Sequence, residues 1–189
     1  MDQVLQGNTY DANTQPALGV VPRYTPTVPF GIRLKTWLPS VLLFPLSIYF
    51  LLNRSDGVFL DPLNVLIHEA GHLCFFFFGD ILHAAGGTLM QIALPATLAF
   101  HFWQYHSRVG IQISLLWLGQ NFLGISVYAA DARVQGLDMI FNLKHDWSYL
   151  LGRLGLLEYD HVFAFFCCFF AMLTFMAMLV LPRYMKSAC

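Results

Sequence analysis

The sequence predicts an all-α fold: a polytopic membrane helix bundle of about five transmembrane segments, with an additional amphipathic helix at the interface. Three observations carry this. Of the 189 residues, 57% are hydrophobic and only 11% are charged, with a mean hydropathy of +0.58. A soluble domain carries about 25% charged residues, so this chain has too little polar surface to cover a globule in water. Phenylalanine supplies 18 residues, some in runs such as Phe75 to Phe78, which would aggregate in water and are ordinary in lipid. Finally, the apolar residues fall into separate segments divided by polar, glycine or proline-bearing connections.

The segments follow in order. Residues 1–30 read as a flexible tail, punctuated by Pro16, Pro22, Pro26 and Pro29, and residues 31–189 as the transmembrane domain. The first span is expected over Thr36–Leu52, with Pro39 and Pro45 inside it. A polar connection, Asn53–Asp61, precedes a second helix from Pro62 to about Phe78. Asp61 suits its N-cap, because proline at the first helical position has no N–H to leave unpaired. Gly79 and Asp80 should stop this helix, Gly86 and Gly87 should form a tight re-entry, and Thr88–Trp103 should make the third span. The fourth is Ile111–Ala130 and the fifth Val162–Leu181. Between them, Trp147, Leu150, Leu151, Leu154 and Leu157 share one helical face, as in a helix lying in the interface or capping the bundle.

Composition also excludes some classes of function. A net charge of −1 provides no basic field for nucleic acid. Cys74, Cys167, Cys168 and Cys189 have neither zinc-ribbon nor disulfide-framework spacing. The expected partners are the lipid bilayer and a membrane protein or peptide substrate.

One motif stands out. His68-Glu69-Ala70-Gly71-His72 places two histidines four residues apart on a predicted helix, stacked on one face a turn apart. Both imidazoles can then reach one Zn²⁺ at about 2.0–2.1 Å. Glu69 can lean over the same ion and take a proton from a water on it, the general-base role in metalloproteases. Ionisable groups inside an apolar helix are costly and usually functional. The alternative is a pair of histidines hydrogen-bonded across helices.

At these residues the chain resembles the site-2 protease family of intramembrane zinc metalloproteases, which carry His-Glu-x-x-His in a transmembrane helix. The resemblance implies His68 and His72 as ligands, Glu69 as base, and peptide-bond cleavage within the membrane. The family's second signature, an aspartate in a Pro-Asp-Gly-type context on a later helix, does not occur. The blocks WLGQN, ADAR and HDW also resemble features of small bacterial membrane proteins, implying a multi-pass protein of a bacterial inner membrane.

The third ligand must therefore come from geometry. Where the second helix ends, the third begins, with Gln91 a little way into it. On the same side the fourth helix ends at Asp131, and the connection after it carries His145 and Asp146. These rank in the order His145, Asp131, Asp146, since imidazole suits zinc and Asp131 resembles a helix-borne aspartate in type. Gln120, Gly124, Tyr128 and Asp131 recur at helical spacing on the fourth helix, with Asn121 adjacent, and Gly124 could mark a small-residue helix contact. His101 and His106 fall at the opposite face. Other readings remain open: a different membrane zinc hydrolase acting on lipid esters, a diiron oxidase (disfavoured by only two glutamates), or a non-enzymatic metal or haem binder.

Overall fold

The computed structural model describes residues 30–137, 145–181 and 184. The tail expected over residues 1–30 lies outside them, except Phe30. Regular structure among the described residues is entirely helical. Six α-helices follow in order: α1 (Phe30–Leu52), α2 (Asp61–Phe75), α3 (Asp80–Gln104), α4 (Arg108–Ala130), α5 (Asp146–Arg153) and α6 (Asp160–Val180). Three segments are long and apolar enough to cross a membrane: α3, α4, and α6 with the 3₁₀ turn before it. The apolar part of α1, Trp37–Leu52, is shorter. α2 has 15 residues, fewer than the roughly 20 a span needs.

α4 is the central post. In its most apolar stretch 56% of residues are buried, against 22% in α3 and 17% in the α6 segment. The outer helices turn large side chains such as Phe165, Phe166 and Phe169 outward, as lipid-facing helices do. The core between α1, α4 and α6 is built from Phe50, Leu116, Leu123, Ala171, Phe175 and Met178. Within it, the fully buried Gln112 donates to Ser40 Oγ at 2.7 Å and to the Met178 carbonyl at 2.9 Å, satisfying polar groups that have no water to turn to.

Helix directions follow from paired contacts. Descending α4, Gln112 meets Met178, Gly119 faces Phe175, and Phe122 stacks near Phe170. α6 is therefore antiparallel to α4. Descending α6 in the same sense, Met178 lies by Ser40 through Gln112, and Cys168 accepts from Arg54. α1 thus runs parallel to α4. So does α2, because Trp117 and Gln120 bond to Asn64 while Tyr128 packs near His68. Asp61, the first residue of α2, accepts from Gln120 Nε2 at 3.0 Å. Gln120 lies 12 residues into α4 from Arg108, or about 18 Å along its axis. α2 therefore begins near mid-depth.

Several expected boundaries move. α3 starts at Asp80, eight residues before the expected Thr88, and Gly86 and Gly87 lie inside it rather than in a re-entry. The reason is packing: α2 and α3 cross at Gly71 and Gly86, where a Cβ on Gly86 would come within 2.7 Å of the Gly71 carbonyl oxygen. His83, expected in a turn, is helical for the same reason. α2 ends at Phe75, and Phe76–Phe78 form a 3₁₀ turn closed by Gly79 at φ +88°. Asp61 is the first residue of α2 rather than its cap, and its carboxylate accepts from Val58 N at 2.6 Å. The amphipathic helix is shorter than expected. It ends at Arg153, and Gly155 at φ +68° breaks the chain before a 3₁₀ turn at Leu157–Tyr159.

Candidate metal centre

His68 and His72 lie one turn apart on α2, with ring centroids 4.7 Å apart. The ring of His68 lies over Gly87 of α3, where any Cβ would collide with it. Each histidine commits its Nδ1. His68 Nδ1 donates to Gln91 Oε1 at 3.1 Å, and His72 Nδ1 donates to the His83 carbonyl at 2.7 Å. Those oxygens can only accept, so the protons sit on Nδ1. In a neutral ring, each Nε2 then presents a lone pair to the space between the helices. An outer acceptor on the far nitrogen is what metal-ligating histidines almost always have.

Asp146 closes that space. Its Oδ2 lies 3.0 Å from His68 Nε2 and 3.2 Å from His72 Nε2. Three donors around tetrahedral zinc at about 2.0–2.1 Å would be separated by about 3.3–3.4 Å. Two imidazoles and a carboxylate are a familiar zinc donor set, and the separations of Asp146 Oδ2 from the two Nε2 atoms are close to that spacing. His68, Glu69 and His72 also offer ligand atoms within 4.8 Å of one another, a group that could hold a metal ion.

The other candidates lie elsewhere. His145 is the N-cap of α5, and its Nδ1 accepts from Ser148 N at 3.2 Å. Its Nε2 lies 3.4 Å from Asp131 Oδ2, an ion-pair separation without hydrogen-bond alignment. Asp131 spends its carboxylate on the turn after α4, accepting from Gly136 N and Leu137 N at 2.8 and 3.0 Å. Asp146, ranked last of the three, lies nearest both histidines, while His145 and Asp131 face one another. The cause is local, since a capping histidine must turn its ring back onto its own helix, leaving the next residue to face the bundle. Nor does Asp131 pair with Arg133, which lies 3.2 Å from the fully buried Asp160. His101 lies 10 residues further along α3 than Gln91, the residue that bonds His68, or about 15 Å along the helix axis.

Tyr128 clamps Asp146 twice. Its hydroxyl donates to Oδ2 at 3.3 Å and accepts from Asp146 N at 3.0 Å. Burial works to raise the Asp146 carboxyl; with both imidazoles protonated, hydrogen bonds and opposite charge from His68 and His72 outweigh it and hold the group at about 2. For His145, burial dominates and pushes the imidazole below its usual value, against the opposing pull of Asp131.

A cavity of about 650 Å³ lies beside the centre, between α2 and α4. Its wall is apolar at Phe50, Val58 and Leu123, and polar at Arg54, Glu69 and Asn121. Arg54 and Glu69 are exposed into open space. Both are ionisable side chains that water in the cavity would solvate. At its upper end α2 is pinned to α4 by a chain of bonds. Trp117 Nε1 donates to Asn64 Oδ1 at 2.9 Å, Asn64 Nδ2 to Gln120 Oε1 at 2.6 Å, and Gln120 to Asp61. Sequence reasoning missed Asn64 and Trp117, and gave Tyr128 no role at Asp146. Asn64 had one legible signal, its position four residues before His68 on the same helical face. Among known proteins, no family model matches the chain, and no curated protein or solved structure matches it.

Proposed function

We propose that this chain is a multi-pass protein, of a bacterial inner membrane, and a zinc-dependent peptidase acting on membrane proteins or peptides. The observation that carries the reading is Asp146 Oδ2 lying 3.0 and 3.2 Å from the Nε2 atoms of His68 and His72. In an ion-free protein, two histidines that have spent Nδ1 as donors would need two more protons to meet that oxygen. One divalent cation satisfies both lone pairs and the carboxylate together. The donor set favours zinc over magnesium or calcium, which prefer oxygen ligands. The His-Glu-x-x-His helix is the feature shared with the site-2 proteases, and Asp146 supplies the carboxylate that the missing second signature would have provided.

Zinc held by His68, His72 and Asp146 supplies Lewis acidity toward water and a carbonyl oxygen. Glu69 is not needed as a ligand. It faces the cavity within reach of the centre, where its carboxylate accepts a proton from the attacking water and returns it to the leaving amine. Tyr128 and Gln91 hold Asp146 and His68 in place.

Four crossings fit the helix directions better than the expected five. α1 and α2 run the same way and together make one interrupted crossing, followed by α3, α4 and α6. Broken helices at mid-depth are tolerated where they line a water-filled cavity.

The test is turnover by zinc-loaded protein reconstituted with a panel of single-span membrane peptides, beside lipid esters. Peptide cleavage should stop on chelation, return with zinc, and fall at least about 100-fold in Glu69→Gln, which keeps its zinc. Cleavage of esters alone, or Glu69→Gln as active as wild type, overturns the reading.

A further inference from the structure

The cavity wall formed by α4 contains two features that the metal chemistry does not use. Gly124 lies in the middle of a helix, where glycine costs about 1 kcal/mol relative to alanine. Close helix packing does not require it, since a Cβ there would meet nothing within 4 Å. The small-residue contact expected from the sequence is therefore absent, and the glycine keeps the cavity open. One turn earlier, Asn121 lines the same cavity and is 2% exposed, and its Oδ1 has no partner. Its Nδ2 is used by the Trp117 carbonyl at 3.2 Å. Gln120 and Asn64 beside it are bonded to each other and to Asp61 or Trp117. A buried amide oxygen left without a donor costs about 1–3 kcal/mol, so a donor arriving in the cavity recovers that cost.

We propose that the face of α4 bearing Asn121, Gly124 and Tyr128 seats an extended peptide segment, one backbone N–H of which is accepted by Asn121 Oδ1. The assignment rests on the peptidase reading and specifies its substrate class: a chain of amides, not an ester lipid. Dimensions agree. Asn121 and Tyr128 are seven residues apart, about 10 Å along a helix, or the length of about three residues of extended chain. An ester-linked lipid tail has no N–H to offer at this depth, whereas an unwound peptide has one per residue. Gly124, between the two polar groups, leaves room for the peptide backbone to lie against the helix.

The test uses the full chain in lipid nanodiscs, loaded with Co²⁺ so that the visible spectrum reports ligand binding at the centre. Three probes are titrated: acetohydroxamate, a trileucine hydroxamate, and the same compound with its internal amides replaced by esters. Wild type should bind the amide form about tenfold more tightly than the ester form. Asn121→Leu should abolish that preference. Gly124→Leu should weaken the trileucine compound at least about tenfold while binding acetohydroxamate as wild type does, which also establishes that the variant is folded. An amide preference that survives Asn121→Leu, or trileucine binding unchanged in Gly124→Leu, overturns the assignment. Normal acetohydroxamate binding alongside either result removes the α4 subsite alone. A wild-type protein that binds no cobalt removes the metal centre and the subsite with it.

Discussion

Gly87 is the residue on which the geometry of the centre most depends without belonging to it. The His68 ring occupies the space its side chain would fill, while Gln91, one turn further along α3, holds Nδ1 of the same ring. Gly87→Ala should therefore push the imidazole off its position while leaving the apolar core untouched. Displaced ligands and lost outer partners typically cost about 10–100-fold in metal affinity. Competition against a chromogenic chelator measures this, and an unchanged affinity would mean that the ring does not need its present seat. At this scale the sequence was legible where chemistry and spacing coincide: His68, Glu69 and His72 stand out by residue type and by the helical repeat. Asp146 was not separable from His145. Whether a capping residue or its neighbour faces the bundle depends on the orientation of an eight-residue helix, which adjacency in sequence does not reveal.

The crossing of α2 and α3 brings His68 and His72 against Gln91 and the His83 carbonyl, and two glycines, Gly71 and Gly86, allow it. A Cβ at Gly71 would collide with the Gly86 carbonyl, and one at Gly86 would crowd Gly71 and the Phe75 side chain. Gly86→Leu should force the helices apart, costing about 1–3 kcal/mol or more of stability. It should also release His72 from the His83 carbonyl, so thermal stability and metal affinity fall together. Loss of neither would contradict the close crossing. The adjacent Gly86 and Gly87 are visible in the sequence, where they fit a chain reversal equally well. Two adjacent glycines signal either a turn or a close backbone approach, and the choice depends on the partner helix. Helix existence was easier to read, because long apolar segments such as α4 and α6 have few other uses. The start of α3 was harder, because Asp80–Gly87 is neither strongly apolar nor broken by proline.

Across the whole molecule, the proposed interrupted first crossing would change the sidedness of the chain. Four crossings bring both termini to the same face, whereas five would separate them. The sequence carries Arg23, Arg33 and Lys35 toward one end and Arg183 and Lys186 toward the other, and the positive-inside tendency favours such groups on one side of a membrane. Tags at the two ends of the chain should show the same protease accessibility in sealed vesicles, and opposite accessibility would restore five crossings. Crossing number could not be read from hydropathy, because α1 and α2 are distinct helical segments in sequence, and only their parallel course beside α4 supports reading them as one passage. The start of α2, the cavity and the side chains of His68, His72 and Asp146 come together within an apolar protein, and zinc held by those three residues is the core of the proposal. Its most direct test is the metal content of purified protein for wild type, His68→Ala, Asp146→Ala and His145→Gln. Wild type and His145→Gln should carry about one zinc per chain, and the other two little or none, since a three-ligand site loses its hold with any one ligand. Stoichiometric zinc in both His68→Ala and Asp146→Ala, or its absence from folded wild type after zinc loading, would contradict it.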